Sequence, residues 1–454
     1  MDRPDSGLIR WSPNSSRDSF LHINLQHRLV QLYEPTGRAQ PGAFEYRKLA
    51  KHDDLPPLTT YDWSPTVPGL VAVGTSTGVV NLLRFDDNSN AYLELGLKIS
   101  RNCQAVAFNT AGKLAVALDR VRSDTCLHIW DVSRLSALDS SVSGFPADFY
   151  PPSDPVDRLE LNASVSSVRF FEDNPNVLVA GIKGQGLRIH DLRGKAACAH
   201  SSLLLKPYIT DQHPDQGHGP VAQFQTKCCN NLAIDYADQN YFASSALDHP
   251  GIMVWDRRAM NRHHVSPAYT DALEQDGLPW GGALRLDRAV QMDPDAADSS
   301  KSSTIRVLRF SRDHAGMLGA LSRTGQLRVI ATRHEHVEPD VKVDGSPELL
   351  EVRRSYEMDP RYAEPNRKND RIVSFDWITM SSRVLQPRVL VLRASGAFDV
   401  LEKPSFTSEY PFSLIPWQPP HRGQDGMSAV QSPPLEPTEI LTSFPKQEAS
   451  ITKN

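Results

Sequence analysis

Several groups along the chain have residue types and spacings that could do chemistry. Gly181 to Gly186 reads Gly-Ile-Lys-Gly-Gln-Gly, a spacing that can cradle a phosphate on backbone amides when a Ser or Thr and a helix follow. Neither follows here, and Leu187 to His190 opens a strand, so a hairpin turn is expected. His334-Glu335-His336, with Asp340, offers metal ligands. An i, i+2 pair on a loop with no second paired site lacks the spacing of a zinc centre, so it is expected to be solvated, as are His213 and His218. His263-His264 beside Arg257, Arg258 and Arg262 forms a small basic cluster. It is expected to be a solvated rim, with an acidic partner as the other reading. Cys228-Cys229 could be redox-active, but two ordinary thiols beside a strand are expected.

The remaining cysteines are Cys103, Cys126 and Cys198, and no two of the five have C-x-x-C spacing. A disulfide framework or zinc knuckle therefore has little support. Nucleotide-loop and H-E-x-x-H patterns are missing from the sequence. No catalytic, cofactor-binding or metal residue is assigned, and the chain is not expected to be an enzyme. A hydrolase working in a central channel would need inward-facing carboxylates and a metal, for which Asp119 and Asp235 are the nearest candidates.

The chain has 454 residues, 39% apolar and 23% charged, with Lys+Arg 49 against Asp+Glu 54 and a net charge of −5. This is the composition of a globular chain with no broad cationic surface, which argues against nucleic acid as principal partner. No stretch reaches the length of a membrane-spanning helix, and the first residues lack an apolar targeting core; an intracellular chain is expected. The 34 prolines outnumber the 26 glycines, which calls for many turns, long loops or a disordered tail.

What would position such residues is a repeat. An apolar run ends in an aromatic, a turn follows, then a run of Val, Ala and Leu, a small-residue turn, and a third run. Its clearest copy is Ala105 to Asp131. Six more lie near 8–34, 58–86, 165–191, 231–256, 305–330 and 372–401. Short alternating apolar runs between Gly, Asn and Asp read as strands. Each copy holds three clear strands with room for a fourth. Thr77-Gly78, Gln185-Gly186, Thr324-Gly325 and Ser395-Gly396 fall where a hairpin needs positive φ. One four-stranded sheet cannot bury both faces, whereas a ring of seven can. The expected fold is all-β, a seven-bladed WD-repeat β-propeller over 1–417 with long rim insertions, and a disordered C-terminal tail over 418–454. The insertions are Leu135 to Asn162, Lys195 to Lys227, Ala259 to Ser303 and Thr332 to Asp370. They hold many of the prolines and are expected to project as partly disordered loops.

Trp130-Asp131 and Trp255-Asp256 are the dipeptides that end a WD repeat. Their expected job is structural, the indole packing between sheets and the carboxylate capping a turn. Trp255, Asp256 and Arg258 also fit W-D-x-R, the pattern by which ubiquitin-ligase receptor propellers contact their adaptor. A substrate receptor of a cullin-type ligase is therefore an alternative function.

With the repeats in register, the chain resembles the Mio (missing oocyte) WD-repeat proteins of the SEA/GATOR complex. The resemblance rests on Asn102 to Val132, where Ala117-Leu118-Asp119-Arg120 and Arg122-Ser123-Asp124 precede Ile129-Trp130-Asp131. Val71 to Gly74, Val179 to Gly181, Asp191 to Arg193 and Val254 to Arg258 add more generic matches. It implies a non-catalytic scaffold in amino-acid signalling to the TOR kinase. It also implies partners among other SEA/GATOR subunits, including Sec13-like and Seh1-like propellers. The implied location is cytoplasmic, peripheral on the vacuolar or lysosomal membrane through the complex. Members of that family continue into a helical solenoid and a zinc-binding end; only the propeller portion is expected here.

Overall fold

The computed structural model describes residues 7–14, 17–37, 39–85, 92–97, 99–137, 145, 149–193, 219–224, 226–248, 251–257, 283–286, 304–336, 348–359, 366, 369–379 and 387–404. The expected tail at 418–454 lies outside them, as do Cys198, His213, His218, Arg258, Arg262, His263, His264 and Asp340.

Seven antiparallel sheets follow one another along the chain. Blade 1 is β1 (Gly7–Trp11), β2 (Phe20–Asn24), β3 (Leu29–Pro35) and β4 (Tyr46–His52). Blade 2 is β5 (Leu58–Trp63), β6 (Leu70–Thr75), β7 (Val80–Arg84) and β8 (Tyr92–Leu95). Blade 3 is β9 (Cys103–Phe108), β10 (Lys113–Leu118), β11 (Thr125–Asp131) and β12 (Asp157–Leu161). Blade 4 is β13 (Val165–Phe170), β14 (Val177–Ile182), β15 (Gly186–Asp191) and β16 (Ala222–Phe224). Blade 5 is β17 (Asn230–Ile234), β18 (Tyr241–Ser245), β19 (Ile252–Asp256) and β20 (Ala283–Leu286). Blade 6 is β21 (Ile305–Phe310), β22 (Met317–Ser322), β23 (Leu327–His336) and β24 (Glu348–Glu357). Blade 7 has three strands among the described residues, β25 (Ile372–Trp377), β26 (Arg388–Arg393) and β27 (Phe398–Glu402).

The hydrophobic core is divided among the seams between blades. Seven clusters of buried residues each draw on two adjacent blades, and together they go once round the ring. Blades 1 and 2, for example, share Leu21, Ile23 and Val30 with Leu58, Val71 and Val73. Blades 7 and 1 share Leu390, Leu392 and Val400 with Ile9, Trp11 and Phe20. Second strands are buried along their whole length in blades 2, 5 and 6, because a neighbouring sheet covers each face. Outer strands such as β4 and β8 bury only alternate or terminal residues, since one face meets water.

The hairpin glycines adopt the expected left-handed backbone, Gly78 at φ 85° and Gly325 at φ 97°. Gly181–Gly186 is the β14–β15 hairpin, as its sequence context requires. The four insertions are not loops throughout. Each contains the outer strand of its blade, β12, β16, β20 or β24. Nor do His334 to His336 sit on a loop: they end β23 and pair with Glu348 to Leu350 of β24.

Close approach at the seams has little tolerance. A Cβ on Gly181 would overlap the Cys229 carbonyl oxygen and the Ser167 hydroxyl. Gly181→Ala is expected to cost about 3 kcal/mol in urea unfolding through overpacking, whereas Gly219→Ala, which meets open space, is expected to change stability by less than about 0.5 kcal/mol. The seams also hold neutral histidine. Burial first, then the charges of Arg101 and Arg158, lower His128 to about 4 from its ordinary 6.5. Above pH 6.5 the ring is neutral folded or unfolded. As pH falls from 6.5 toward 4 the unfolded chain binds the proton first, so stability is lost across that window. His128→Gln is expected to flatten the decline in urea midpoint between pH 6.5 and 5 relative to the unsubstituted chain.

Candidate interaction site at the channel mouth

First strands line the axis, and one position on them decides what the channel holds. The residue just before the strand-closing aromatic is Arg10 in β1, Asp62 in β5, Ala107 in β9, Arg169 in β13, Arg309 in β21 and Asp376 in β25. In blade 5 register places Ala233 there, opposite Ala243, as Arg169 lies opposite Val179. All seven line the mouth of the channel.

Charges alternate over four consecutive blades. Arg309 Nε lies 3.9 Å from Asp376, Arg10 Nε 4.0 Å from Asp376, and Arg10 Nη1 3.5 Å from Asp62. The carboxylates also reach across the seams. The Trp11 amide donates to Asp376 Oδ2 at 2.8 Å, and the Phe108 amide to Asp62 Oδ2 at 2.8 Å. Tyr61 accepts from Arg309 Nη2 at 3.1 Å and donates to the Ile9 carbonyl at 3.3 Å. Burial opposes the charge on Arg10, but Asp62, with Tyr236, Tyr61 and Asp376, holds its guanidinium protonated. Above this ring Arg312 of blade 6 stacks on Tyr236 of blade 5, 3.8 Å from the ring centroid. It also donates to Glu172 of blade 4 at 3.1 and 3.4 Å.

The Trp-Asp dipeptides lie elsewhere, in the seams. Trp130 packs among Leu82 and Leu95 of blade 2 and Val116 of blade 3. Asp131 is exposed, and its Oδ1 accepts from the Ser133 amide at 2.9 Å and hydroxyl at 2.6 Å, at the start of the 3-10 helix Ser133–Ala137. Those hydrogen bonds hold its carboxyl below the usual range. Trp255 packs against Phe224 and Leu187 of blade 4 and donates to Ser244 Oγ at 2.9 Å. The ligase-adaptor reading finds no support here: Trp255 and Asp256 are each only 1% exposed, so neither presents itself to an adaptor.

Asp119 and Asp235 do not meet. Asp119 follows a second strand and accepts from Gln104 at 2.9 Å. Asp235 follows a first strand, at the opposite end of the antiparallel pair, and accepts from the amides of Ala237 at 3.0 Å and Gly316 at 2.9 Å. Burial raises its carboxyl. Cys228 and Cys229 are buried in the seam of blades 4 and 5, and burial pushes the Cys229 thiol up. Among the described residues no group of three or more His, Cys, Asp and Glu is arranged to hold a metal ion, and no helix is long and apolar enough to cross a membrane.

The channel charges escaped the sequence reading, yet they carry a signal: Ile-Arg-Trp, Tyr-Asp-Trp, Val-Arg-Phe, Leu-Arg-Phe and Phe-Asp-Trp at the same point of five repeats. If the ring is structural, Asp376→Ala should cost about 3–5 kcal/mol, because it leaves buried guanidinium and amide groups uncompensated. Asp131→Ala, which removes only an exposed cap, should cost about 1 kcal/mol in the same urea titration.

No protein-family model matches the chain. GATOR2 complex protein Mio of Drosophila melanogaster is 27% identical over 222 residues, 44% of this chain and 24% of that protein. GATOR2 complex protein MIOS of Dictyostelium discoideum is 21% identical over 251 residues, 47% of this chain and 20% of that protein. An uncharacterized WD repeat-containing protein of Schizosaccharomyces pombe is 24% identical over 190 residues, 42% and 17% of the two chains. The chain thus spans a quarter or less of the length of these relatives. Among solved structures, Chaetomium thermophilum Raptor is similar over 69% of this chain and 23% of its own, with 15% identity and a TM-score of 0.44. The chain is a seven-bladed propeller with homologues, at modest identity over about 45% of its length, among the GATOR2 proteins Mio and MIOS.

Proposed function

We propose that the chain is a non-catalytic scaffold of a GATOR2-type assembly, acting in amino-acid signalling to the TOR kinase. The observation that carries this reading is the similarity to Mio and MIOS over nearly half the chain, joined to a fold whose seams are sealed by apolar side chains. A frame of this kind holds surface loops in fixed positions and has the long insertions with which to engage other subunits. Partners are then the other subunits of the assembly, Sec13-like and Seh1-like propellers among them. The chain would sit on the vacuolar or lysosomal surface through that assembly rather than by a span of its own.

Purification of the tagged full chain from cells, followed by mass spectrometry, tests the reading. Recovery of GATOR2-type subunits in near-stoichiometric amounts is the expected result. Recovery of the chain without any of them, under conditions that keep the assembly intact for a known subunit, would overturn it.

A further inference from the structure

The charge ring at the channel mouth is incomplete, and the gap has a defined shape. Arg10 sits between two carboxylates, Asp62 in blade 2 and Asp376 in blade 7. Arg169 has alanine at the equivalent position on both sides, Ala107 in blade 3 and Ala233 in blade 5. Among the described residues no carboxylate lies within ion-pair distance of Arg169; its hydrogen bond goes to the Val106 carbonyl at 3.3 Å.

The two alanines also leave room. An open cavity of about 50 Å³ lies over them, lined by four guanidiniums, Arg10, Arg169, Arg309 and Arg312, against two carboxylates, Asp62 and Glu172. Adding Asp376 from the adjoining recess still leaves one cation uncompensated. Two donors in this cluster, Arg10 Nη1 and Arg309 Nε, are buried and meet their carboxylates only as ion pairs at 3.5 and 3.9 Å, without a hydrogen bond, and Arg10 is only 7% exposed. Buried charged donors whose hydrogen bonds are not made are costly even beside a carboxylate. A cavity with surplus positive charge and guanidinium donors short of hydrogen bonds presents the planar fork geometry that matches carboxylate and phosphate oxygens.

We propose that the channel mouth binds the oxyanion group, carboxylate or phosphate, of a small diffusible ligand, with Arg169 as its anchoring cation and Arg10 and Arg309 beside it. At about 50 Å³ the cavity has room for the oxyanion group itself rather than for a whole ligand. The site does not depend on the assembly proposed above, and its failure would leave that reading intact.

The test titrates the purified full chain with inorganic phosphate and, separately, citrate, at constant ionic strength set by sodium chloride, reading thermal unfolding and calorimetric binding. The expected result is a saturable rise in Tm with at least one probe; which probe acts tells phosphate from carboxylate. Arg169→Gln, which keeps a donor for the Val106 carbonyl, should raise the half-saturating concentration about tenfold or more, as loss of a charge-assisted hydrogen bond does. Arg193→Gln, on the exposed surface, should leave it unchanged. Should Arg169→Gln fail to fold, phosphorus NMR line broadening on the unsubstituted chain, displaced by citrate, would support the site. No saturable effect of either probe overturns the proposal. An equal effect in folded Arg169→Gln also overturns it, since that means adventitious surface binding only.

Discussion

Closure between blade 7 and blade 1 is the contact on which the rest of the ring depends. Six seams join blades that follow one another in sequence, so chain connectivity holds each pair near its place. The seventh joins segments whose hydrogen bonds span 349 to 368 residues, and closing so long a loop is entropically costly. Among the described residues the two blades share no strand, so side chains and packing must close them. The Ile9 amide donates to Ser374 Oγ at 3.1 Å, the Trp11 amide to Asp376, and the Trp11 indole to the Thr379 carbonyl at 2.8 Å. Arg388 donates to the Ala39 carbonyl at 2.7 Å. The apolar cluster around Phe20, Leu390 and Val400 supplies the remainder.

Asp376 has a double task in that seam. It accepts a backbone amide from blade 1, and it faces a guanidinium on either side. A buried carboxylate is tolerated only when its lone pairs are used and its charge is matched. The same arrangement recurs in blade 2, where Asp62 accepts the Phe108 amide and faces Arg10. Alternating signs at the axis therefore follow from packing: first strands converge there, like charges repel, and each acid is useful twice.

The inner architecture was legible because it repeats. Buried second strands read as unbroken apolar runs, and the hairpin glycines marked their ends. The outer strands were not legible. Asp-Arg-Leu-Glu-Leu in β12 and the stretch from Glu348 to Glu357 in β24 have a solvated face and lie inside proline-rich insertions, so neither continuity nor clean alternation sets them apart. His334 to His336 were misplaced for the same reason: polar residues that extend a strand at a rim look like loop. The channel residues were hidden differently. Arg10, Asp62, Arg169, Arg309 and Asp376 recur at one point of the repeat, but their type varies. A search for matching residues passes over a position whose shared property is charge.

The two kinds of repeat position explain why the Trp-Asp dipeptides carry so little of the site. Trp130 and Trp255 end third strands, away from the axis, where large rings fill the widening gap between sheets. Function at such a place requires exposure, and sealing the seam removes it. The axis imposes the opposite constraint. Seven strands crowd together there, so small changes in side-chain size decide whether the channel is filled or open. Alanine at two of seven positions opens one side of it, around Arg169. Burial and the charges of Arg10 and Arg309 lower that guanidinium, with Asp62 opposing them. A cation in that setting keeps its charge at the least cost when solvent or an acceptor reaches it. The open cavity over Ala107 and Ala233 provides that access.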